Sequence, residues 1–223
     1  MDFTTNLSTP LNVGIILPEG IVLLALLVVL VGDLIVGRQS SRWVPYVAIT
    51  GLLGAVVALY FQWDSANPIA LLGSFSGDNF SILFRSIIAL STVVTVLMSI
   101  RYVELSGTSL AEFVALLLTG TLGGMLLSGA NELVMVFISL ETLSIASYLM
   151  AGYTKRDRRS NEAALKYLLF GAASSAVFLY GASLLYGLSG GETNLGEITT
   201  AIDRKSTRLN SSHITRSRMP SSA

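Results

Sequence analysis

The stretch Asn131–Gly152, NELVMVFISLETLSIASYLMAG, decides the fold class because it is long and apolar enough to cross a membrane. A helix needs about 20 apolar residues to span the hydrocarbon core of a bilayer. Inside lipid the backbone must satisfy its own hydrogen bonds, so a run of this length is expected to be helical. Glu141 is the one ionisable residue in the middle of the stretch, about ten residues from either end.

Five further runs of this kind predict a polytopic membrane protein. The six predicted transmembrane helices are Gly14–Val36, Val44–Gln62, Phe80–Ile100, Ser109–Ser128, Asn131–Gly152 and Asn161–Leu188. The chain is 52% hydrophobic and only 13% charged, outside the range of soluble globular proteins. A soluble all-helical protein is the alternative, but its helices would need polar faces that these runs lack. The expected fold class is therefore all-α, with six transmembrane helices.

Charge and composition exclude several classes of function. Lys and Arg together number 14, as do Asp and Glu, so the net charge is zero and no nucleic-acid partner is expected. The chain has no cysteine and one histidine, His213. Disulfides, cysteine-ligated iron–sulfur clusters, haem sites and zinc sites therefore lack their usual ligands. We expect this chain to bind no metal and no cofactor, and to have the lipid bilayer as one partner.

The loop charges predict the orientation of the bundle. Basic residues follow the first, third and fifth runs: Arg38, Arg42, Arg101 and Lys155–Arg159. The second and fourth connections lack them, and the second holds Asp64 and Asp78 instead. Cytoplasmic loops of membrane proteins carry an excess of Lys and Arg. The pattern therefore predicts an N-terminus on the trans side of the membrane.

Glu141 is the first candidate functional residue. An ionisable group at membrane depth costs several kcal/mol unless it is partnered, so such groups are rare and often functional. Ser144 and Tyr148, three and seven residues further along, share its helix face and give a polar stripe. A carboxyl held between burial and a nearby ammonium can exchange protons near neutral pH. The alternative is a neutral glutamic acid that is hydrogen-bonded to a neighbouring helix and only structural.

Lys166 is the second candidate, and the residues leave its role open. Glu162 stands four residues before it, in the favoured orientation for an ion pair within a helix. On antiparallel helices Glu141 and Lys166 differ in depth by about 9 Å, which fits a water-bridged relay better than a direct contact. A purely local pair with Glu162 is equally compatible with the sequence.

Other polar and small residues in the runs have structural interpretations. Arg85, about two turns inside the third run, is expected to reach toward the Asp78 side as an anchor. Glu19, near one end of the first run, is expected to be solvated. Gly171 and Ser175, four residues apart in GAASSA, offer a small-residue face for close helix packing.

Two long motifs carry a resemblance to a known family. NELVMVFISLETLSIASYLMAGY and RSNEAALKYLLFGAASSAVFLYGASLLYGLSGGET resemble the antiporter-like membrane-arm subunits of complex I, in particular the subunit 2 family of cyanobacterial and chloroplast NAD(P)H–plastoquinone oxidoreductase. ILPEGIVLLALLVVLVGDLI and GDNFSILFRSIIALSTVVTVLMS are similar to the same family. The resemblance extends from about Met1 to about Ala201.

The resemblance implies redox-driven proton translocation. Glu141 matches the family's buried glutamate on its fifth helix, and Lys166 matches a lysine on its sixth. It also implies other membrane-arm and peripheral subunits as partners, a thylakoid membrane, and an N-terminus on the lumenal side. The whole complex would use quinone and NAD(P)H or ferredoxin, with no cofactor on this subunit. A cation/proton antiporter subunit without redox coupling, and a structural or assembly subunit, remain alternatives.

The chain departs from the family at its C-terminal end. Such subunits are similar to one another in having about fourteen helices, built from repeated halves. The lysine of their seventh helix has no counterpart here, so we expect the chain alone to be inactive. In its place stands DRKSTRLNSSHITRSRMPSSA, Asp203–Ala223, which is basic and Ser-rich. We predict a helical membrane domain over residues 1–201 and a non-native or disordered tail over 202–223.

Overall fold

The computed structural model describes residues 13–36, 41–63, 69–106 and 108–216, and helices dominate them. The helices are α1 (Leu17–Val36), α2 (Val44–Phe61), α3 (Asn79–Ser106), α4 (Leu110–Ser128), α5 (Leu133–Ala151), α6 (Arg158–Ser189) and α7 (Leu195–Arg216). Short 3-10 turns precede α1 and α2, at Val13–Ile16 and Ser41–Trp43. The first six helices are long and apolar enough to cross a membrane, which confirms the predicted all-α membrane fold.

The observed helix bounds differ most from the predicted ones in α3. The prediction ended this helix at Ile100, whereas the structure continues it to Ser106. Its 28 residues correspond to about 42 Å, which exceeds the roughly 30 Å thickness of a hydrocarbon core. Apolar run length marks only the part of a helix that lies in lipid, so the polar extension was missed.

Helices α1 to α4 form the core of the molecule. Helix α1 packs against α2 and α4, and α3 packs against the same two helices. Fully buried apolar side chains fill the centre of this bundle: Val22, Val29, Leu52, Leu59, Val96, Val114 and Leu118. One polar contact lies among them, a 2.8 Å hydrogen bond between the hydroxyls of Thr92 and Thr121 that joins α3 to α4.

Helices α5 and α6 extend the bundle on one flank. Helix α5 packs against α4, and α6 packs against α5. Ser189 is the only residue of α6 that is fully buried. Helix α6 is therefore the outermost of the six membrane helices, with most of its apolar surface uncovered in this chain.

A short hairpin closes the end of the bundle where α1, α3 and α5 begin, here called the hairpin side. Its strands are β1 (Ile69–Ala70) and β2 (Phe75–Ser76), which pair antiparallel. The amide of Ser76 donates to the carbonyl of Gly129 at 2.7 Å, which fixes the hairpin to the α4–α5 turn. The hairpin thus ties α2 and α3 to the start of α5.

Glu132 links three segments on the hairpin side. It is the residue immediately before α5, and its carboxylate accepts hydrogen bonds from the hydroxyls of Ser74 in the hairpin and Thr193 after α6. The Thr193 contact measures 2.6 Å. This carboxylate therefore connects the start of α5 and the segment after α6 to the hairpin.

The opposite end of the bundle, here called the basic side, holds Lys155–Arg159 between α5 and α6. Lys155 forms an ion pair with Glu112 at 2.9 Å, and the Tyr153 hydroxyl donates to the carbonyl of Ser109. Both contacts join the α5–α6 connection to the start of α4. Of the other charges used to predict orientation, Arg38 and Asp64 lie outside the described residues.

The prediction that Glu19 is solvated was wrong, and Arg85 is a structural anchor whose partner was not predicted. Arg85 is 0% exposed, and its Nε and Nη2 donate to the carboxylate of Glu19 at 2.7 and 2.6 Å. Nη2 also donates to the carbonyl of Ile15 at 2.9 Å, and Phe75 lies 5.1 Å from the guanidinium carbon. Two opposite charges near one end of the bundle pair with each other, because a buried charge without a partner is strongly unfavourable.

The C-terminal region also differs from its prediction. No regular structure was expected from Asp203 onward, but α7 runs from Leu195 to Arg216. The side chain of Asn194 accepts hydrogen bonds from the amides of Gly196 and Glu197, and this cap starts the helix. Once a helix has started, each further residue that is fixed gains one hydrogen bond, whereas the first turn fixes three residues for one bond, so polar residues can continue a helix that is already capped. A domain boundary near residue 201 and a non-native origin of the tail stay predictions.

Candidate functional site

The candidate site lies on α5, and the backbone of α5 packs closely against the backbone of α4. An added Cβ at Gly123 of α4 would lie 2.7 Å from the amide nitrogen of Leu143 and 3.1 Å from the carbonyl of Ser139. Only a glycine allows the two backbones to approach this closely. The contact fixes the depth and rotation of α5 on either side of Glu141.

Glu141 lies near the midpoint of α5. It is eight residues from Leu133 and ten from Ala151, or about 12 and 15 Å along the helix axis. Its side chain is half-buried and points toward α6, where the hydroxyl of Ser175 donates a hydrogen bond to Oε1. The partner of Glu141 on the neighbouring helix is thus Ser175, an arrangement that is compatible with both the functional and the structural interpretation of this glutamate.

A groove of about 350 Å³ surrounds this contact between α5 and α6. Its lining combines the Glu141 carboxylate, three serines and five aromatic rings. The lining residues are Phe137, Leu140, Glu141, Ser144 and Tyr148 from α5, with Tyr167, Phe170, Gly171, Ser174, Ser175 and Phe178 from α6. The predicted polar stripe of Glu141, Ser144 and Tyr148 is therefore one wall of the groove.

Two aromatic pairs flank the contact between Glu141 and Ser175 along the groove. On its hairpin side the rings of Phe137 and Phe178 stack with centroids 6.1 Å apart. On its basic side the rings of Tyr148 and Tyr167 meet edge to face at 4.8 Å. Aromatic contacts of this geometry add stabilisation beyond area burial. They set the antiparallel register that places Ser175 opposite Glu141.

Gly171 gives Tyr148 its position. A Cβ added at Gly171 would lie 1.8 Å from the Tyr148 hydroxyl oxygen, so the tyrosine occupies the space that any larger residue would fill. Tyr148 is consequently 9% exposed although it faces an open groove. The predicted small-residue face of Gly171 and Ser175 does support close packing, but each position also accommodates a polar group of α5.

Lys166 does not join Glu141 in the groove. Its Nζ lies 2.6 Å from Oε1 of Glu162, and the two side chains are 66% and 58% exposed. Lys166 precedes Ser175 by nine residues, which corresponds to about 13 Å along α6 toward the basic side. The local-pair interpretation is the arrangement that the structure contains.

Within the described ranges, no group of three or more His, Asp or Glu side chains is arranged to hold a metal ion. Three carboxylates of the membrane helices have separate partners instead. Glu19 pairs with Arg85, Glu112 with Lys155, and Glu141 with Ser175. The chemistry available in the groove is therefore that of a single carboxyl among hydroxyls.

Sequence reasoning missed the partner residue Ser175 and the buried ion pair of Glu19 and Arg85. The signal for Ser175 was present, because it stands on the α6 face that the GAASSA motif predicted to pack closely. Its pairing with Glu141 could not be read from spacing within one helix, since it depends on the register between α5 and α6. The same holds for Glu19 and Arg85, which are 66 residues apart.

Two family models match this chain. The model described as the NAD(P)H-quinone oxidoreductase subunit 2 N-terminal domain matches residues 6–101. The model described as the NADH:quinone oxidoreductase/Mrp antiporter transmembrane domain matches residues 130–218. The second match reaches into the region beyond Ala201, where the resemblance was predicted to end, and both Glu141 and Lys166 fall within it.

Curated relatives agree with these models. The chain is 70% identical over 202 residues to NAD(P)H-quinone oxidoreductase subunit 2 of Gloeothece citriformis, covering 91% of this chain and 39% of the relative. The same subunit of Microcystis aeruginosa is 69% identical, with 94% and 40% covered, and that of a Nostoc species is 71% identical, with 91% and 39% covered. The chain spans about two fifths of the length of these relatives.

Solved structures show the same fold. A chain of respiratory complex I from Thermus thermophilus with bound aureothin is 27% identical, with a TM-score of 0.65 over 83% of this chain and 42% of that chain. A chain of the archaeal membrane-bound sulfane sulfur reductase is 18% identical, with a TM-score of 0.70 over 84% of this chain and 41% of that chain. The second likeness concerns the fold alone.

Proposed function

The chain belongs to the family of antiporter-like membrane subunits of complex I, and we propose that it is the N-terminal part of a proton-translocating subunit of an NAD(P)H–quinone oxidoreductase. In this proposal electrons pass through other subunits, and this subunit carries protons across the membrane. The observation that carries the proposal is the Glu141 carboxyl, which stands at mid-membrane depth in a groove lined with hydroxyl groups.

Glu141 is the proposed protonation site. A carboxyl at this depth is not explained by packing, because an apolar residue of similar volume would fill the place without desolvation cost. Its partner Ser175 is neutral, so no ion pair within the described residues binds the carboxylate permanently. Such a group can gain a proton from one direction and lose it toward another as its surroundings change.

Lys166 is proposed as a secondary residue on the basic side of the path. It stands on α6, as Ser175 does, about two and a half turns closer to the basic side. The gap between Lys166 and Glu141 is too long for a direct contact, so a chain of water molecules would connect them. The aromatic pair of Tyr148 and Tyr167 lies between the two residues.

The experiment that tests the proposal is Glu141→Gln in the full-length subunit within the whole complex. The amide keeps shape and hydrogen bonding but cannot titrate, so we expect proton translocation to fall by about a hundredfold or more, as on loss of a positioned proton-transfer group. Glu112→Gln is the matched control, because Glu112 lies outside the groove in an exposed pair with Lys155. Unchanged translocation in an assembled Glu141→Gln complex would contradict the proposal and favour a structural role.

A cation/proton antiporter subunit is the second candidate. It is supported by the description of the family model over residues 130–218, which covers both NADH:quinone oxidoreductases and Mrp antiporters. Proton movement that follows quinone reduction and ignores a sodium gradient supports the redox-coupled function. Movement that follows the sodium gradient without quinone reduction supports the antiporter.

The finer proposals concern the setting of the subunit. We infer a thylakoid membrane, plastoquinone as the quinone, NAD(P)H or ferredoxin as the electron donor, and other membrane-arm and peripheral subunits as partners.

The N-terminus is proposed to face the lumen, because the exposed basic residues Arg42, Arg101 and Lys155–Arg159 lie on the opposite side. A cysteine introduced at Asp64 is expected to react only with a reagent added to the lumenal side; labelling from the other side would reverse the orientation.

A further inference from the structure

The hydroxyl of Ser175 has a different partner from those of most helical serines and threonines whose hydrogen bonds the structure describes. A serine or threonine inside a helix commonly donates its hydroxyl to the carbonyl of the preceding turn. The hydroxyls of Ser86, Ser91, Thr95, Ser139 and Thr142 all do so. Ser175 donates to the carboxylate of Glu141 on the neighbouring helix instead.

A hydroxyl has one proton to donate, so the two arrangements exclude each other. Hydrogen bonds from a hydroxyl to a carboxylate are charge-assisted and stronger than bonds to a neutral carbonyl. In the helices that the structure describes, Ser175 is the one serine or threonine whose hydroxyl donates to a carboxylate on another helix. The choice of partner at this position therefore follows from the presence of Glu141.

Packing alone would not require a serine at this position. Helix α6 uses alanine at several neighbouring positions, including Ala172, Ala173 and Ala176. Alanine has a higher helix propensity than serine and leaves no polar group to satisfy within the membrane. A hydroxyl at position 175 is thus explained by what it binds and not by its size.

The contact fixes one half of the Glu141 carboxylate. Ser175 binds Oε1, while Oε2 has no hydrogen bond to any residue in the part of the chain that the structure describes. The aromatic pairs Phe137–Phe178 and Tyr148–Tyr167 hold the register on either side. One oxygen is therefore anchored to α6, and the other is available to exchange a proton.

We infer that Ser175 is a positioning residue for proton transfer at Glu141. Its hydroxyl anchors Oε1 to α6, so that a movement between α5 and α6 changes the surroundings of the carboxyl. This inference rests on the proposed function of Glu141 and deepens it by assigning a role to a second residue of the same site. Ser175 itself neither gains nor loses a proton in the transfer.

The test uses three variants of the full-length subunit in the assembled complex: Ser175→Ala, Ser175→Thr and the control Ser183→Ala. Ser183 lies on the same helix, but its hydroxyl donates to the carbonyl of Tyr180 and does not face the groove. The first readout is protons moved per electron. The second is the carboxyl stretching band of Glu141 in the redox-induced infrared difference spectrum, assigned by its loss in Glu141→Gln.

We expect Ser175→Ala to lower coupled translocation by about tenfold, the effect of losing one hydrogen bond to a charged group. Its Glu141 band is expected to shift, because the carboxyl has lost a donor. Ser175→Thr keeps the hydroxyl, so its proton translocation and its Glu141 band are expected to be close to those of the unmodified complex. Ser183→Ala is also expected to match the unmodified complex in both.

The outcomes separate the inference from the function on which it rests. If Glu141→Gln leaves translocation unchanged, the proposed function fails, and the role of Ser175 fails with it. If Glu141→Gln abolishes translocation while Ser175→Ala behaves like Ser183→Ala in both readouts, only the inference about Ser175 is overturned. An unshifted carboxyl band in Ser175→Ala, even with reduced translocation, also overturns it, because the loss would then come from altered packing.

Discussion

Arg85 in α3 binds Glu19 in α1 through two hydrogen bonds of 2.6 and 2.7 Å, and both side chains are almost completely buried. The pair joins two helices that are separated by 66 residues in the sequence. Phe75 of the hairpin covers the guanidinium group from one side. The hairpin side of the bundle is thus organised around one charge pair that is shielded from solvent.

Glu19→Gln is expected to destabilise the subunit strongly. The change leaves the Arg85 charge buried without a counter-charge, and breaking a buried pair in this way typically costs about 3–5 kcal/mol. Thermal unfolding and accumulation of the full-length protein measure the effect. Lys155→Gln is the control, since it removes an ion pair whose side chains are 72% and 36% exposed and which contributes little.

Replacing both members of the buried pair distinguishes charge from packing. The double variant Glu19→Leu with Arg85→Met carries no buried charge, so we expect it to be more stable than Glu19→Gln alone. A double variant at least as unstable as the single one would show that the contacts of Arg85 with Ile15 and Phe75 dominate instead.

Gly123→Ala is expected to weaken the contact between α4 and α5. The new methyl group would lie 2.7 Å from the amide nitrogen of Leu143, and this backbone atom can move only if α5 moves. We expect a lower melting temperature and reduced translocation, because α5 carries Glu141. Gly181→Ala is the matched control, since an added Cβ there meets nothing within 4 Å. Equal stability of the two variants would refute the close approach of α4 and α5.

Lys166→Met is expected to reduce coupled turnover less than Glu141→Gln does. Lys166 is exposed and pairs with Glu162 within its own helix, and exposed pairs of this kind contribute about 0.3–0.5 kcal/mol. Protons moved per electron in the full-length complex provide the comparison. A loss equal to or larger than that of Glu141→Gln would make Lys166 a primary member of the path.

The connection between α6 and α7 is expected to become less stable as the pH rises. A hydrogen bond with Glu197, followed by the negative charge of Glu197 and by slight burial, raises the pKa of Glu192 above its usual value of 4.5. The stabilisation is fully present below the unfolded-state pKa and is lost as the pH rises through the raised value. Hydrogen exchange of amides 189–195 measures this, and Glu192→Gln is expected to abolish the dependence. Exchange that accelerates with pH equally in Glu192→Gln, after correction for intrinsic rates, would contradict it.

The membrane helices could be predicted from the sequence because run length and hydropathy determine them directly. Six runs near the length needed to span a bilayer gave six helices, with the largest error at the polar end of α3. The depth of Glu141 and the local pairing of Lys166 with Glu162 also follow from positions along single helices. Such features depend on residues that are close together in the chain.

Contacts between helices could not be predicted in the same way. The partner of Glu141 depends on the register of α5 against α6, which the stacked rings of Phe137 and Phe178 fix. The burial of Glu19 depends on its proximity to Arg85, and neither residue carries a local sign of the other. The helix α7 was missed because most of its residues are polar, although Asn194 caps its start.

The central claim is that Glu141 gains and loses a proton during turnover, and infrared difference spectroscopy tests it most directly. Spectra of the full-length complex before and after quinone reduction are compared between the unmodified protein, Glu141→Gln and the control Glu112→Gln. The account predicts a carboxyl band that changes with turnover, is absent in Glu141→Gln and persists in Glu112→Gln. An identical set of carboxyl bands in all three proteins would contradict it, because Glu141 would then keep one protonation state throughout.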